Sequence, residues 1–338
     1  MNTYLITGGL GYIGSHICVD LLTNNNNIII MDNLSNSKIS KLDIIKSFNK
    51  HNNQIDFYQI DLIQFEDFDK IMSNIIYKQK INGIIHLAGL KAVGESIKIP
   101  IKYYENNLVS TINLLKIMEK YSITNLIFSS SSTVYGMSQT PYYELDFINK
   151  ANTNTGIGIT NPYGQSKFLQ EQILKDIWIA YPDWNIVLLR YFNPIGQLNL
   201  ELKEDPNGIP NNLFPYLLKV HKKELEELTI FGSDYNTRDG TCSRDFIHVQ
   251  DLAQAHTTCA KYINDKSIGL KIYNVGTGKD TTVLELINAF EKINNTKLKY
   301  KLGPRRSGDL ESSYSNVDLI TKELGWVAQY TIEDCVKI

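Results

Sequence analysis

Arginine is scarce in this chain: five residues (Arg190, Arg238, Arg244, Arg305 and Arg306) stand against 29 lysines. Where lysine is the default base, an arginine marks a position that calls for a planar, bidentate donor. Cysteine is also thin. Cys18, Cys242, Cys259 and Cys335 are scattered without metal-type pairing; the count leaves disulfides open, but reduced cytosolic thiols fit it better. His16, His51, His86, His221, His248 and His256 show no ligand spacing, so no metal is expected. No apolar stretch approaches the roughly 20 residues of a membrane helix, which argues against a membrane. No basic block exists and the net charge is −2, which argues against nucleic acid as a main partner. The first residues lead straight into a strand-like run, so no signal or transit peptide is expected, and a cytoplasmic location is.

What is present is a chain of 338 residues, 43% hydrophobic and 21% charged, the composition of a soluble globular protein of one large or two ordinary domains. Strand-like runs at Thr3–Thr7, Ile28–Asp32, Ile55–Ile60, Ile84–Leu87 and Leu126–Ser130 alternate with helical stretches near Ser15–Leu22, Ser40–Phe48, Phe65–Tyr77 and Ile101–Tyr121. Such alternation predicts an α/β fold, a Rossmann-type doubly wound parallel sheet with helices on both faces. A helix over Pro162–Tyr181, opened by proline, and a strand at Ile186–Leu189 extend it. After about Asn193 the pattern breaks. Gly, Pro and Asn cluster at Asp205–Asn212, followed by a strand at Leu228–Gly232, a loop over Ser233–Ser243, a strand at Lys271–Val275 and a helix at Val283–Asn294. The expectation is a dinucleotide-binding domain over 1–193 and a smaller, less regular substrate domain over 194–338, with some segments returning to the first. Ligands should bind at the carboxyl ends of the strands, in the cleft between the two parts.

The sharpest local signal is Thr7-Gly8-Gly9-Leu10-Gly11-Tyr12-Ile13-Gly14. Strand, turn with glycines at 8, 11 and 14, then helix is how a chain brings backbone amides and a helix N-terminus to a pyrophosphate. The second strand ends on Asp32, 24 residues after Gly8. A carboxylate there accepts the ribose hydroxyls of an adenosine and repels a 2′-phosphate, so NAD is expected as cofactor.

Tyr163 and Lys167 lie four residues apart on a helix, hence on one face. An ammonium beside a phenol stabilises the phenolate, which lets tyrosine act as a base. Ser129-Ser130-Ser131-Ser132-Thr133 follows a buried strand at its carboxyl end, where a hydroxyl can meet a sugar oxygen or share a proton with Tyr163.

These residues resemble those of the UDP-glucose 4-epimerase family, within the extended short-chain dehydrogenase/reductase superfamily. The similarity runs almost end to end. It takes in the glycine turn, Asp32-Asn33-Leu34-Ser35-Asn36-Ser37, Ala88–Ser96, Tyr103–Asn107, the serine segment and Asn161-Pro162-Tyr163-Gly164. It continues through Leu189–Pro194, Gly208–Leu213, Arg244–Val249 and Arg305–Leu310. The glycine turn with Tyr-x-x-x-Lys specifies only the superfamily; Ala88–Ser96 together with Gly208–Leu213 is far more specific.

The resemblance implies a redox-neutral inversion at sugar C4, with NAD taking up and returning a hydride. It assigns Tyr163 as base, Lys167 to the nicotinamide ribose and Ser131 to the 4-oxygen. It puts Gly8, Gly11, Tyr12, Ile13, Gly14, Asp32–Ser37, Asp61, Leu62, Leu87, Ala88, Gly89, Leu90, Lys91, Asn106 and Phe192 around the cofactor. Asn33, Leu34, Ser35 and Asn36 belong to that set with Ser37. Around the UDP-sugar it puts Asn193, Asn212, Leu213, Thr229, Ile230, Phe231 and Asp309, with Arg244 and Arg306 on the diphosphate. Ser313, small where tyrosine goes with strict glucose/galactose use, implies room for N-acetylated UDP-sugars. A homodimer through two helices per subunit is implied too.

The chain departs from the family pattern in a longer Gly136–Tyr163 link with extra residues around Ala151–Ile159, in Gln165 where lysine is usual, and in ending at Ile338 before an aromatic-rich tail. Two competing readings are a nucleotide-sugar 4,6-dehydratase and a non-catalytic NAD-binding regulator. The first needs an acidic pair that Thr133-Val134-Tyr135 does not offer; the second would be expected to lose Tyr163 or Lys167.

Overall fold

The computed structural model describes residues 1–144, 158–204, 210, 212–306 and 308–338. Most of the Ala151–Ile159 stretch, most of the Asp205–Asn212 cluster with Gly208, Ile209 and Asn211, and Ser307 lie outside the described residues. The chain forms two compact units, the first of Met1–Val134, Asn161–Arg190 and Ala253–Tyr273, the second of Tyr135–Thr160, Tyr191–Leu252 and Asn274–Ile338.

The first unit follows the alternation of its sequence: β1 (Thr3–Thr7), α1 (Tyr12–Thr23), β2 (Asn27–Asp32), α2 (Lys41–Ser47), β3 (Ile55–Gln59), α3 (Phe65–Lys78) and β4 (Gly83–His86). Helices α4 (Val93–Lys98) and α5 (Pro100–Lys120) lead to β5 (Asn125–Ser131), and the Pro162–Ala180 helix to β6 (Asn185–Tyr191). In chain order, β7 (Asn193–Ile195), β8 (Leu228–Phe231), β9 (Ser243–Arg244) and β10 (Phe246–His248) precede β11 (Leu270–Val275). The large sheet has seven strands in the order β11-β6-β5-β4-β1-β2-β3. Pairing is parallel from β5 through β4, β1 and β2 to β3. This is the Rossmann-type doubly wound arrangement, reversing strand order beside β1.

Helices cover both faces because the strands are apolar on both. Leu5, Ile29 and Met31 pack with Phe68 and Met72 of α3, Leu114 and Met118 of α5, and Leu174. On the opposite face Tyr4 donates its hydroxyl to the Ala260 carbonyl at 3.1 Å, tying the Val249–Asp265 helix to β1. That helix escaped sequence reading although Leu252, Ala253, Cys259, Ala260 and Ile263, all buried, recur at helical spacing. The Lys271–Val275 run, expected after the pattern breaks, is the edge strand of this sheet.

The second unit holds short strands. β7 pairs with β10, β8 with β13 (Tyr300–Gly303), and β9 lies between β12 (Thr281–Thr282) and β14 (Ser312–Ser313). The Leu213–His221 and Val283–Ile293 helices close its core through Phe214, Leu217, Leu286 and Phe290. A capping box fixes the second helix: the Thr282 side chain accepts from Glu285 N, and the Glu285 carboxylate accepts from Thr282 N. Among the described residues no helix is long and apolar enough to cross a membrane.

Candidate active site

The turn after β1 is built for backbone approach. Gly8 has φ +69°, and a Cβ there would lie 2.9 Å from Ala88 N. A Cβ on Gly14 would lie 2.2 Å from the Gly8 carbonyl oxygen. Gly11 caps α1 without a side-chain hydrogen bond, and the first turn carries no acidic residue. The helix starts with Ser15 N donating to Gly11 O, so the amides of Tyr12, Ile13 and Gly14 precede its bonding ladder and suit an anion.

Asp32 ends β2 beside this turn. One carboxylate oxygen accepts from Leu10 N at 3.0 Å; the other accepts from Leu34 N at 2.9 Å and Ser37 Oγ at 2.7 Å. Asn33 donates to Asp61 Oδ2 at 3.1 Å and accepts from Ser35 N, so the Asp32–Ser37 loop and Asp61 form one polar rim. The Leu62 side chain is sealed in the core, and its carbonyl accepts from Asn113 Nδ2 at 2.9 Å. Lys91 lies over the Tyr12 ring, 5.8 Å from its centroid. A glycine cradle, an open helix start and an acid at the next strand end together fit a dinucleotide.

The Pro162–Ala180 helix is set by Asn161, whose Oδ1 accepts from Gly164 N at 2.9 Å, with proline next. The Ser131 hydroxyl at the end of β5 lies near enough to the Tyr163 phenol to favour the phenolate. The Ser131 oxygen itself accepts from Thr133 N at 3.3 Å and Thr133 Oγ1 at 3.0 Å. Lys167 is buried, donating from Nζ to the Ser129 carbonyl at 2.6 Å. Burial raises the Tyr163 phenol above its ordinary value and the Ser131 hydroxyl pulls it partway back. Burial lowers the Lys167 ammonium to about 7, opposed by Glu171. Spacing alone puts the lysine's charge beside the phenol. The structure places that charge on the Ser129 carbonyl instead, and burial governs both groups.

One hub that sequence reasoning missed joins the loop at Leu90 to the Pro162–Ala180 helix. Asn107, fully buried on α5, accepts from Leu90 N at 2.8 Å and donates from Nδ2 to Leu90 O at 3.1 Å and Ser166 Oγ at 3.0 Å. Ser166 Oγ in turn donates to Tyr163 O at 2.7 Å. Its neighbour Asn106, the expected cleft residue, is half-buried. Behind them His86 bridges Thr7 Oγ1 at 2.7 Å and Thr111 Oγ1 at 3.0 Å. Burial, then the charge of Lys167, holds its imidazole near 3, so it stays neutral.

The second unit gathers another set. Arg306 grips Asp309 with Nε at 3.1 Å and Nη2 at 2.8 Å and lies over the Phe231 ring at 5.5 Å. Arg244 donates to the Leu310 carbonyl at 2.9 Å and stands 4.0 Å from Asp309. Ser313, buried on β14, is paired with Arg244 across the ladder. Asn193 starts β7 and Phe192, buried, precedes it. Thr229 and Ile230 lie in β8, with the Ile230 side chain in the core. Asn212 donates to Glu204 at 2.9 Å, and Leu213 opens the next helix. Among the described residues no cluster of three potential metal ligands occurs.

A doubly wound sheet with a glycine cradle and a Ser/Tyr/Lys cluster defines a nucleotide-dependent protein of the short-chain dehydrogenase type. Residues 4–276 match the model of the NAD dependent epimerase/dehydratase family, and the chain belongs to that family. It is 44% identical to the UDP-glucose 4-epimerase of Bacillus subtilis (strain 168) over 98% of this chain and 93% of that one. A solved UDP-glucose 4-epimerase from Bifidobacterium longum, in complex with NAD+ and UDP, is similar with TM-score 0.90 and 44% identity, over 99% of this chain and 96% of that one. A solved UDP-glucose-4-epimerase from Stenotrophomonas maltophila, with bound NAD and formylated UDP-arabinopyranose, gives TM-score 0.91 and 38% identity over the same shares.

Proposed function

We propose that this chain interconverts UDP-glucose and UDP-galactose by oxidation and re-reduction at sugar C4. The observation that carries the reading is the Ser131 hydroxyl beside the Tyr163 phenol, one helical turn from buried Lys167, at the end of a strand in the glycine-turn sheet. Gly8, Gly11, Gly14 and Asp32 hold NAD, which when bound supplies a hydride acceptor and donor. Tyr163 takes the proton of the sugar 4-hydroxyl and later returns it. Ser131, held by Thr133, gives a hydrogen bond to the 4-oxygen. Lys167 holds the nicotinamide ribose and contributes positive charge. Arg244 and Arg306 take the diphosphate, for which Arg306 must exchange its grip on Asp309; Asn193, Asn212, Leu213, Thr229, Ile230 and Phe231 take the rest of the nucleotide-sugar.

On this reading residues 1–193 serve NAD and 194–338 the UDP-sugar, in a cytoplasmic homodimer. Exposed Ile101 and Ile112 on α5 and Leu169 on the Pro162–Ala180 helix support contact through these helices. The small, buried Ser313 supports use of N-acetylated UDP-sugars as well. The test is incubation with UDP-galactose without added reductant. UDP-glucose is the expected product; its absence overturns the proposal.

A further inference from the structure

Consecutive serines at the end of β5 hold successive turns of one helix face. The Ser129 carbonyl accepts from Lys167 Nζ at 2.6 Å and the Ser130 hydroxyl donates to the Glu171 carboxylate, with Ser131 next in line beside Tyr163. Tyr163 and Lys167 are absorbed by the mechanism; Glu171 is not. Its carboxylate is clamped bidentately by Arg190 of β6, with Nε at 3.0 Å and Nη2 at 2.6 Å. Both side chains are sealed from solvent, at 1% and 0% exposure.

A buried ion pair is weak evidence for stability, because desolvating two charges offsets their attraction, and apolar residues of similar volume often serve as well. We infer that Glu171, fixed by Arg190 and Ser130, is a positioning residue that anchors the cationic form of Lys167 at the end of β5. The inference rests on the catalytic reading of Lys167. Around Lys167 the titratable and charged groups are Tyr163 and Glu171 on its own helix, neutral His86 at the end of β4, and Arg190 on β6, committed to Glu171. Glu171 is the charge that raises Lys167 against its burial. Removing that carboxylate therefore lets the lysine lose its proton at lower pH.

The experiment compares the full-length protein with Glu171→Gln, and with a double variant carrying Glu171→Leu and Arg190→Met. The double variant removes the pair without stranding a charge, so it keeps the fold if the single variant loses it. The readout is the titration of lysine labelled with ¹³C at Cε, with the Lys167 signal assigned by its loss in Lys167→Met. The expected result is a Lys167 midpoint lowered by about 0.5–1 pH unit in Glu171→Gln, in line with loss of one nearby opposite charge, and by less in the double variant, where a guanidinium goes with the carboxylate. In the epimerase assay the alkaline limb of kcat should move down with it while KM for the UDP-sugar holds. A folded Glu171→Gln protein with the parent's midpoint, or a folded double variant whose midpoint does not fall below the parent's, overturns the inference. Absence of epimerase activity in the parent, with the midpoint still shifted, overturns the functional reading and not the anchoring of the lysine.

Discussion

Replacing Gly14 by alanine sets two known effects against each other. Alanine gains over glycine in a helix by at most about 1 kcal/mol. The new methyl, however, would lie 2.2 Å from the Gly8 carbonyl oxygen, 2.8 Å from Gly9 Cα and 3.0 Å from the Gly8 carbonyl carbon. All three are backbone atoms, and Gly8 is pinned by its own amide bond to Met31 O at 2.7 Å. Helix α1 must then back away from the turn by roughly 1 Å, which places the cost at the upper end of the about 1–3 kcal/mol typical of overpacking. The clash wins by on the order of 2 kcal/mol, a fall of roughly 4–8 °C in Tm. Gly11→Ala is the control. At φ −63° alanine is unstrained, and its methyl meets only Gly8 O at 3.1 Å. That variant should melt near the parent yet carry at least tenfold less NAD, because the methyl stands where a pyrophosphate approaches the open helix start. The assays are thermal unfolding of NAD-stripped protein and NAD content after purification. Gly14→Ala melting at or above the parent, or Gly11→Ala losing stability while keeping its NAD, would refute the reasoning.

Tyr163→Phe should lower turnover by roughly 10²–10⁴-fold, the usual contribution of a positioned acid–base group, while NAD content and Tm stay near the parent's; near-normal turnover removes Tyr163 from the mechanism. NAD should co-purify and remain constant through many turnovers, followed by absorbance of the reduced nicotinamide; stoichiometric NADH would mean a dehydrogenase instead. Thr133→Val, which deletes one of the two donors to Ser131, should lower kcat several-fold with KM unchanged, and Thr133→Ser should restore it; no split between the two variants counts against a positioned Ser131 proton. Wild type should epimerise UDP-N-acetylglucosamine and Ser313→Tyr should lose that activity while keeping UDP-glucose; equal behaviour of the two proteins rejects Ser313 as the residue that sets the range.

The parts of the site legible in the sequence are those whose partners lie close along the chain. The glycine turn, the acid at the end of β2 and the Tyr/Lys spacing each announce themselves within a few residues or one strand–helix unit. Scarcity of arginine also carried information, though of a general kind. Arg190, Arg238 and Arg306 do form bidentate contacts, with Glu171, Glu285 and Asp309. Bidentate geometry was readable from residue type; whether the acceptor is a ligand or the chain's own carboxylate was not. Asn107 stayed hidden for a different reason. Its signal was present, since Tyr103, Asn107, Ser110, Thr111, Leu114 and Met118 form the buried face of α5. A polar amide on such a face must be satisfied by something. Phase along α5 separates Asn107 from Asn106, while the short motif containing both does not. The Ser130–Glu171–Arg190 network needs three segments brought together at the neighbouring strands β5 and β6 of the sheet. No local pattern encodes that meeting. A buried glutamate two turns beyond Tyr163 reads as a surface charge until the strand beside it is known. The residues most exposed to this failure are those that act through a neighbour, because their chemistry lies in the contact and not in the side chain alone.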